Sequence, residues 1–369
     1  MIGSVSRSGT TLAVYLALRF LGSILGLFLL AAVLIYIFDL LELLRRTGGE
    51  DGASLLRIAL ISLLRVPQLM EQVLPFAVLF GAIAAFLSLS RKLELVVARA
   101  AGVSVWQFTA PALIVGLVVG IAAVSVYNPL AVLLRDQSDK IAAGLFGREQ
   151  NFLMQTTGEI WLRQDGADGE SVVHAKQILD NGERLLGVTI FTFDRNGSFA
   201  ERIEAHEARF SDRSWKLSQA TVYTTTGDPQ TYPTYQVSTY LTATEVRESI
   251  AAPESIGFWD LPRVIELSQR AGLPAYRYSL QYQTLLARPV LLVAMILIAA
   301  CVSLRVSRMG GIGKLILGGI LAGFVLYVLS ELGKDLGGAG IVPPVLAAWA
   351  PGVFGVLMGI TILLHLEDG

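Results

Sequence analysis

Residues 75–104 read PFAVLFGAIAAFLSLSRKLELVVARAAGVS. The first half is almost wholly apolar. Arg91, Lys92, Glu94 and Arg99 then arrive together, and after Gly102 a second apolar run begins at Val105. Crossing the hydrocarbon layer takes about 20 mostly apolar residues, because a backbone N–H or C=O left unpaired in lipid is costly. Two such runs separated by a short charged stretch fit a hairpin of membrane spans joined at the membrane surface. Outward from this stretch the same reading gives six runs, at residues 12–41, 58–89, 105–127, 282–304, 315–332 and 345–364. The first is too long for the apolar part of a signal peptide and lacks a small-residue cleavage site after a short core, so it reads as an uncleaved helix. Pro67 and Pro75 predict a kink in the second.

Composition agrees. The chain is 53% hydrophobic and 16% charged over 369 residues, whereas a soluble domain carries about 25% charged residues. A net charge of −1 offers no clustered basic surface for nucleic acid. Cys301, the single cysteine, excludes an internal disulfide and reads as a small buried hydrophobe. His174, His206 and His365 are scattered too widely for a metal site, and the stretch HEARF from His206 lacks a second histidine four residues on.

Short-loop lysines and arginines set the orientation. Arg7, the Arg91–Lys92–Arg99 cluster, and Arg305, Arg308 and Lys314 fall on one side of a six-span chain. The opposite loops carry Arg45, Arg46 and Arg57 against Glu50 and Asp51, and Lys334 against Glu331 and Asp335. Both termini are therefore expected in the cytoplasm.

From residue 135 to residue 255 the chain turns polar. Turn pairs at Asp165-Gly166, Asp168-Gly169, Asn181-Gly182 and Asn196-Gly197 separate β-rich runs such as GEIWLRQ, SVVHAKQI, GVTIFTFD, RSWKLSQATVYTTT and TYQVSTYL. In the last run Tyr235, Val237, Thr239 and Leu241 alternate with polar neighbours, as one buried face demands. An all-β domain outside the cytoplasm is expected here, followed by an amphipathic helix in FWDLPRVIELSQRAG, residues 258–272. The expected organisation is residues 1–134 with spans 1–3, 135–255 as the β domain, 256–277 as the connecting helix and 278–369 with spans 4–6.

The charged interruption itself reads as a short amphipathic helix. Leu89, Leu93, Val96, Val97 and Ala100 recur at helical spacing, Arg91, Leu95 and Arg99 lie on another side, and Gly102 supplies a stop. Such a helix either lies on lipid headgroups or is gripped by a soluble partner. Glu94 favours the partner, since a carboxylate gains nothing among anionic headgroups but forms a charge-assisted pair with an arginine.

The stretch from Pro75 to Ser104 resembles the second helix and coupling helix of the LptF/LptG (YjgP/YjgQ) permeases. WKLSQA in the β region, RYSLQYQTLLARPV at the fourth span and GIVPPVLAAWAP before the sixth resemble the same family, in the same order. The final PPVLAAWAP is nearer the LptG branch than the LptF branch. The resemblance implies a non-catalytic permease of the bacterial inner membrane that exports lipopolysaccharide. It would be paired with LptF, with a dimer of the ATPase LptB and with LptC, and its β domain would be a periplasmic β-jellyroll. ATP and magnesium would be bound by LptB and no cofactor by this chain. Arg91, Lys92, Leu93, Glu94, Leu95, Val97, Ala98, Arg99 and Gly102 would form the ATPase-coupling element, residues 90–102. Arg45, Arg46, Arg135 and Lys140 would meet the sugar-phosphate headgroup. Ile35 and Phe38 in the first span, with Leu321, Phe324 and Tyr327 in the fifth, would line the acyl path and the lateral gate, and Gly318, Gly319 and Gly323 would give that gate small faces. One departure stands out: Tyr36 and Ile37 occupy the place where LptG members often carry a lysine.

No nucleotide site of its own is expected. In RMGGIGKL, Arg308 stands where a phosphate loop needs its first glycine and Leu315 where it needs Ser or Thr. Asn196-Gly-Ser198 reads as a hairpin turn rather than a glycosylation site. Glu71 and Asp39, near span ends, read as isolated residues that snorkel to the interface. Two other classes are disfavoured, because the features each requires are not visible in the sequence. A secondary transporter would show ionisable residues at mid-membrane and related halves, and a receptor or scaffold would use the β domain as a sensor.

Overall fold

The computed structural model describes residues 2–47, 54–145, 160–167, 169–179, 182–194, 198–224, 227–240, 252–270, 275–305 and 312–367. They form two compact units, one of residues 1–139, 257–259 and 279–369, the other of residues 140–256 and 260–278.

The first unit is helical. Six helical stretches are long and apolar enough to cross a membrane: Thr11–Arg45, Leu55–Arg91, Val105–Ala142, Tyr276–Ser303, Ile316–Gly338 and Pro344–His365. They lie in helices α1 (Ile2–Thr47), α2 (Leu55–Arg91), the rod of α4 (Val105–Ala122) and α5 (Asn128–Leu145), α7 (Tyr276–Arg305), α8 (Ile312–Gly338) and α9 (Pro344–Glu367), with the short α3 (Glu94–Ala100) after the second span. Every expected span is a helix, and α2 runs unbroken through Pro67 and Pro75.

The third span departs from expectation. It continues past Tyr127, because α4 (Val105–Ala122) passes through one π-helical turn, Ala123–Tyr127, into α5 (Asn128–Leu145). Pro129 has no N–H and would clash with the carbonyl four residues back in a regular helix. The wider turn absorbs it. The carbonyl in question, that of Ser125, accepts the indole N–H of Trp259 at 3.0 Å.

The helical core is built from Leu16, Phe20 and Ile24 of α1, Leu74 to Leu89 of α2, Phe108 and Ala112 of α4, and Leu292 to Cys301 of α7. Phe20 and Phe86 meet edge to face at 4.6 Å. Small residues let backbones approach without the interhelical hydrophobic drive available in water. A Cβ on Gly81 would lie 2.6 Å from the Ile24 Cα, and one on Gly120 would lie 2.5 Å from the Pro289 Cα. Cys301 is buried, with its thiol on the Gly359 carbonyl, as a small hydrophobe should be.

The second unit carries one antiparallel sheet of six strands in sequence order. These are β1 (Ile160–Gly166), β2 (Gly169–Leu179), β3 (Arg184–Phe193), β4 (Phe199–Ser211), β5 (Ser214–Thr224) and β6 (Gln230–Ser238). The inserted all-β domain of the sequence reading is thus present, its described strands forming an up-and-down meander. At one end the outer strands come together: Tyr240 N–H donates to the Asp165 carbonyl at 2.8 Å.

Pairing lapses along one line across the sheet. By register Lys176, Gly187, His206, Gln219 and Pro233 face each other in turn, yet none of these steps is paired. Gly187 and Gln219 have φ of 61° and 53°, and Pro233 has no N–H to give. The buried face changes parity across this crease, from Trp215 and Leu217 to Ala220 and Val222 in β5, and from Ile203 and Ala205 to Ala208 in β4. The crease therefore folds the sheet around its own core. That core centres on Trp215, whose indole donates to Gln164 at 3.0 Å while Gln164 donates to Ser171 at 3.1 Å.

The β4 strand was not among the runs expected from sequence. In FAERIEAHEARFS two of the three buried positions are alanines and five of the others are Glu or Arg, so apolar alternation is faint. The expected amphipathic helix is α6 (Leu261–Arg270), with Leu261 and Val264 buried. Its expected glycine stop, Gly272, lies outside the described residues, as do Asn196 and Gly197 of the expected hairpin turn. Their flanks do close it, Asp194 N–H donating to the Ser198 carbonyl at 2.9 Å. Residues 308–311 of RMGGIGKL also lie outside the described residues.

Candidate functional site

The charged interruption lies between the second and third spans. The expected helix over 90–102 is divided: α2 ends at Arg91, and Lys92 and Leu93 form a turn. The helix α3 then covers Glu94–Ala100 alone. Leu93 sits at φ 60°, a conformation costly for a leucine. Gly102, at φ 83°, adopts without strain the left-handed conformation that ends α3. Ser104 and Gln107 then form a reciprocal capping box that starts the third span.

This break redistributes the side chains. Leu89 and Leu95 point into the core, whereas Leu93 and Val97 are 61% and 65% exposed. Arg91 and Lys92 are exposed beside them. Two apolar knobs four residues apart, flanked by two cations, are thus presented outward. The carboxylate of Glu94 turns the other way, accepting from the Tyr15 hydroxyl of α1 at 3.1 Å, and Arg19 Nε donates to that hydroxyl at 3.2 Å. Ala98 and Arg99 lie in α3, their side chains outside the described residues.

A second constellation joins three spans. Glu71 of α2 accepts from Arg288 of α7 at 3.0 Å and from the Asn128 amide of α5 at 2.9 Å. Asn128 is buried, and its carbonyl oxygen accepts the Phe258 N–H at 2.9 Å. Tyr127 donates to the Pro67 carbonyl at 2.9 Å. A cavity of about 50 Å³ adjoins this cluster, lined also by Thr284, Tyr327, Ser330, Glu331 and Lys334. Glu71 is therefore not an isolated snorkelling residue, and neither is Asp39, which pairs with Arg65 at 3.6 Å. The sequence reading erred because the partners lie on other helices, so neither pairing has a signature in local spacing.

The remaining candidates are distributed as follows. Arg45 extends into solvent near Glu42 at 3.9 Å, and the side chain of Arg46 lies outside the described residues. Arg135 is engaged, donating to Gln68 at 2.6 Å and to Asp139 at 3.1 Å. Lys140 is exposed. Phe38 is 70% exposed and Ile35 half-buried on the first span. On the fifth span Leu321 and Phe324 face outward, but Tyr327 turns inward onto the Phe76 ring at 4.7 Å. Gly318 stands in open space, whereas a Cβ on Gly319 or Gly323 would strike Val302 or Leu79 of the same chain. Those two glycines seat the fifth span on its own bundle.

Residues 14–365 match the family described as "Lipopolysaccharide export system permease LptF/LptG". The chain belongs to the LptF/LptG family. It is similar to the lipopolysaccharide export system permease protein LptG of Escherichia coli K12, 24% identical over 87% of this chain and 89% of that protein. It is equally similar to the protein of the same name from Haemophilus influenzae, 24% identical over 97% of this chain and 99% of its relative. The family, the six apolar helices and the inserted sheet together make this a multi-pass membrane protein of lipopolysaccharide export.

Sequence reasoning missed Tyr15, Arg19, Asn128 and Arg288. Asn128 carried the one available hint, since an asparagine between Tyr127 and Pro129 in an apolar run is expensive in lipid unless it is paired.

Proposed function

We propose that this chain is the LptG-type permease subunit of an ABC transporter that extracts lipopolysaccharide from the inner membrane, driven by ATP hydrolysis in a separate LptB dimer. LptF completes the permease and LptC receives the lipid with the periplasmic β domain. The short helix α3 and its preceding turn dock on LptB at the cytoplasmic surface, where both termini also lie. The observation carrying this reading is the outward pair Leu93 and Val97 beside Arg91 and Lys92. Exposed apolar knobs at a connection between spans gain from burial in a protein groove, about 1.5–3 kcal/mol for each fully covered side chain. Similarity to two LptG proteins supports the LptG assignment.

Arg45, Arg46 and Lys140 are the proposed headgroup contacts. Arg135, which also donates to Gln68 and Asp139, is the fourth. Ile35, Phe38, Leu321 and Phe324 face the acyl chains, and Tyr327 serves internal packing.

The test is purification of the complex from the native membrane. The double variant Leu93→Asp/Val97→Asp should lose the co-purifying ATPase subunit and the lipopolysaccharide-stimulated ATPase activity at unchanged membrane abundance. Retention of the full complex with unaltered ATPase activity overturns the docking assignment.

A further inference from the structure

The third span seats one side on its own chain and leaves the other bare. A Cβ on Gly116 or Gly120 of α4 would strike Ile296 or Pro289 of α7. On the opposite side Ile114, Leu117, Val118 and Ile121 are exposed at helical spacing. That stripe is wholly aliphatic, whereas helix–helix interfaces in membranes are enriched in small and polar residues. It is a lipid-facing stripe. Ser125 continues it, and the Ser125 carbonyl accepts the indole N–H of Trp259 at 3.0 Å. The Trp259 ring, 65% exposed, stands at that end. Its neighbour Phe258 is buried, with its N–H on Asn128 at 2.9 Å and its ring stacked on Tyr282 at 5.4 Å. The rings of Phe258 and Trp259 meet edge to face at 5.0 Å. The indole is therefore held in one place.

We infer that Trp259 is a lipid anchor: its indole ring inserts at the headgroup–acyl boundary of the leaflet opposite α3, and pins there the point at which the chain re-enters the helical unit. Depth supports this on two helices. The third span begins at Val105, just after α3. A helix rises about 1.5 Å per residue, so Ser125 lies about 30 Å along it. The hydrocarbon layer is itself about 30 Å thick. Along α2 the distance from Arg91 back to Glu71 is again about 30 Å, and Glu71 accepts from Asn128, three residues beyond Ser125. Interfacial tryptophans are amphipathic, with an apolar ring and an N–H that needs a partner. Here the Ser125 carbonyl takes the N–H, so the apolar ring is what remains for lipid. A partner helix fits this face less well, since the stripe below offers no small or polar contact. The anchor needs only the membrane placement of the spans, whether or not α3 docks on an ATPase.

The test uses the full chain, alone and as purified with its bound subunits, reconstituted into phosphatidylcholine bilayers. The lipid is unbrominated, or brominated at a shallow or a deep position of its acyl chains. Subtracting the tryptophan emission of Trp259→Phe from that of the parent isolates the emission of Trp259. That difference should fall at least twofold in the shallow-brominated bilayer, and by less in the deep-brominated one, with and without the other subunits. Equal emission in all three bilayers overturns the anchor, because the ring would then not touch lipid. Stronger quenching by the deep bromines also overturns it, by placing the ring away from the boundary. Quenching of the chain alone that disappears in the complex assigns the ring to a partner subunit and overturns it too. Should Trp259→Phe fail to fold, Trp259→Tyr supplies the same subtraction.

Discussion

Replacing Arg288 with methionine is the sharpest probe of the helical unit. The Glu71 and Arg288 side chains are 10% and 13% exposed, and the pair spans α2 and α7. Removing one partner of a buried ion pair costs about 3–5 kcal/mol, whereas removing both charges together is often neutral. The Asn128 amide still donates to Glu71 in the variant, which places Arg288→Met near the lower end, at about 3 kcal/mol. Glu71→Gln keeps an acceptor for Asn128 but leaves the guanidinium unpaired, so a similar loss is expected. The double variant Glu71→Gln/Arg288→Met should lie within about 1 kcal/mol of the parent. Groups that share a network typically depart from additivity by about 0.5–3 kcal/mol, and the losses above imply a larger departure here, about 5 kcal/mol. Equilibrium unfolding of the detergent-solubilised protein in rising mole fractions of SDS gives all four stabilities. If the double variant loses the sum of the two single losses to within ~0.5 kcal/mol, the pair is not a unit and the reasoning is refuted.

Two further outcomes follow from particular atoms. Glu207 in β4 accepts from Arg209 at 2.6 Å and pairs with Arg184 at 2.8 Å, and these contacts, led by the Arg209 hydrogen bond, hold its carboxyl below the usual range. A depressed folded value stabilises above the unfolded pKa of about 4.3 and is lost as pH falls through the folded value. Amide exchange in β3–β5 should therefore be slower in the parent than in Glu207→Gln at pH 7, the difference shrinking as pH falls through the depressed folded value; a difference independent of pH would contradict this. In the helices, Gly120→Ala forces a Cβ to within 2.5 Å of Pro289 Cα and should cost about 1–3 kcal/mol. Gly318→Ala meets nothing within 4 Å and should gain up to about 1 kcal/mol, read in the same SDS titration.

Much of this molecule is dictated by its residues in order. The apolar runs had to be helices because lipid offers backbone groups no other partner, and the turn pairs of residues 165–197 had to break a polar insert into strands. The same local logic picked out the interruption at Arg91–Arg99, since charge is conspicuous between two spans. It failed where a side chain's meaning depends on a neighbour distant in sequence. Tertiary structure alone decided that Glu94 faces Tyr15, that Leu93 and not Leu95 points outward, and that Glu71 meets Arg288. It also decided that Tyr327 parts from Phe324, and that a crease through Gly187, Gln219 and Pro233 turns the sheet's buried face. Hydrophobic periodicity measures the cost of exposing a segment, which is a property of that segment. The pairing of charges and the break of a helix at a left-handed leucine are settled by whatever packs against them, and no window of sequence contains it.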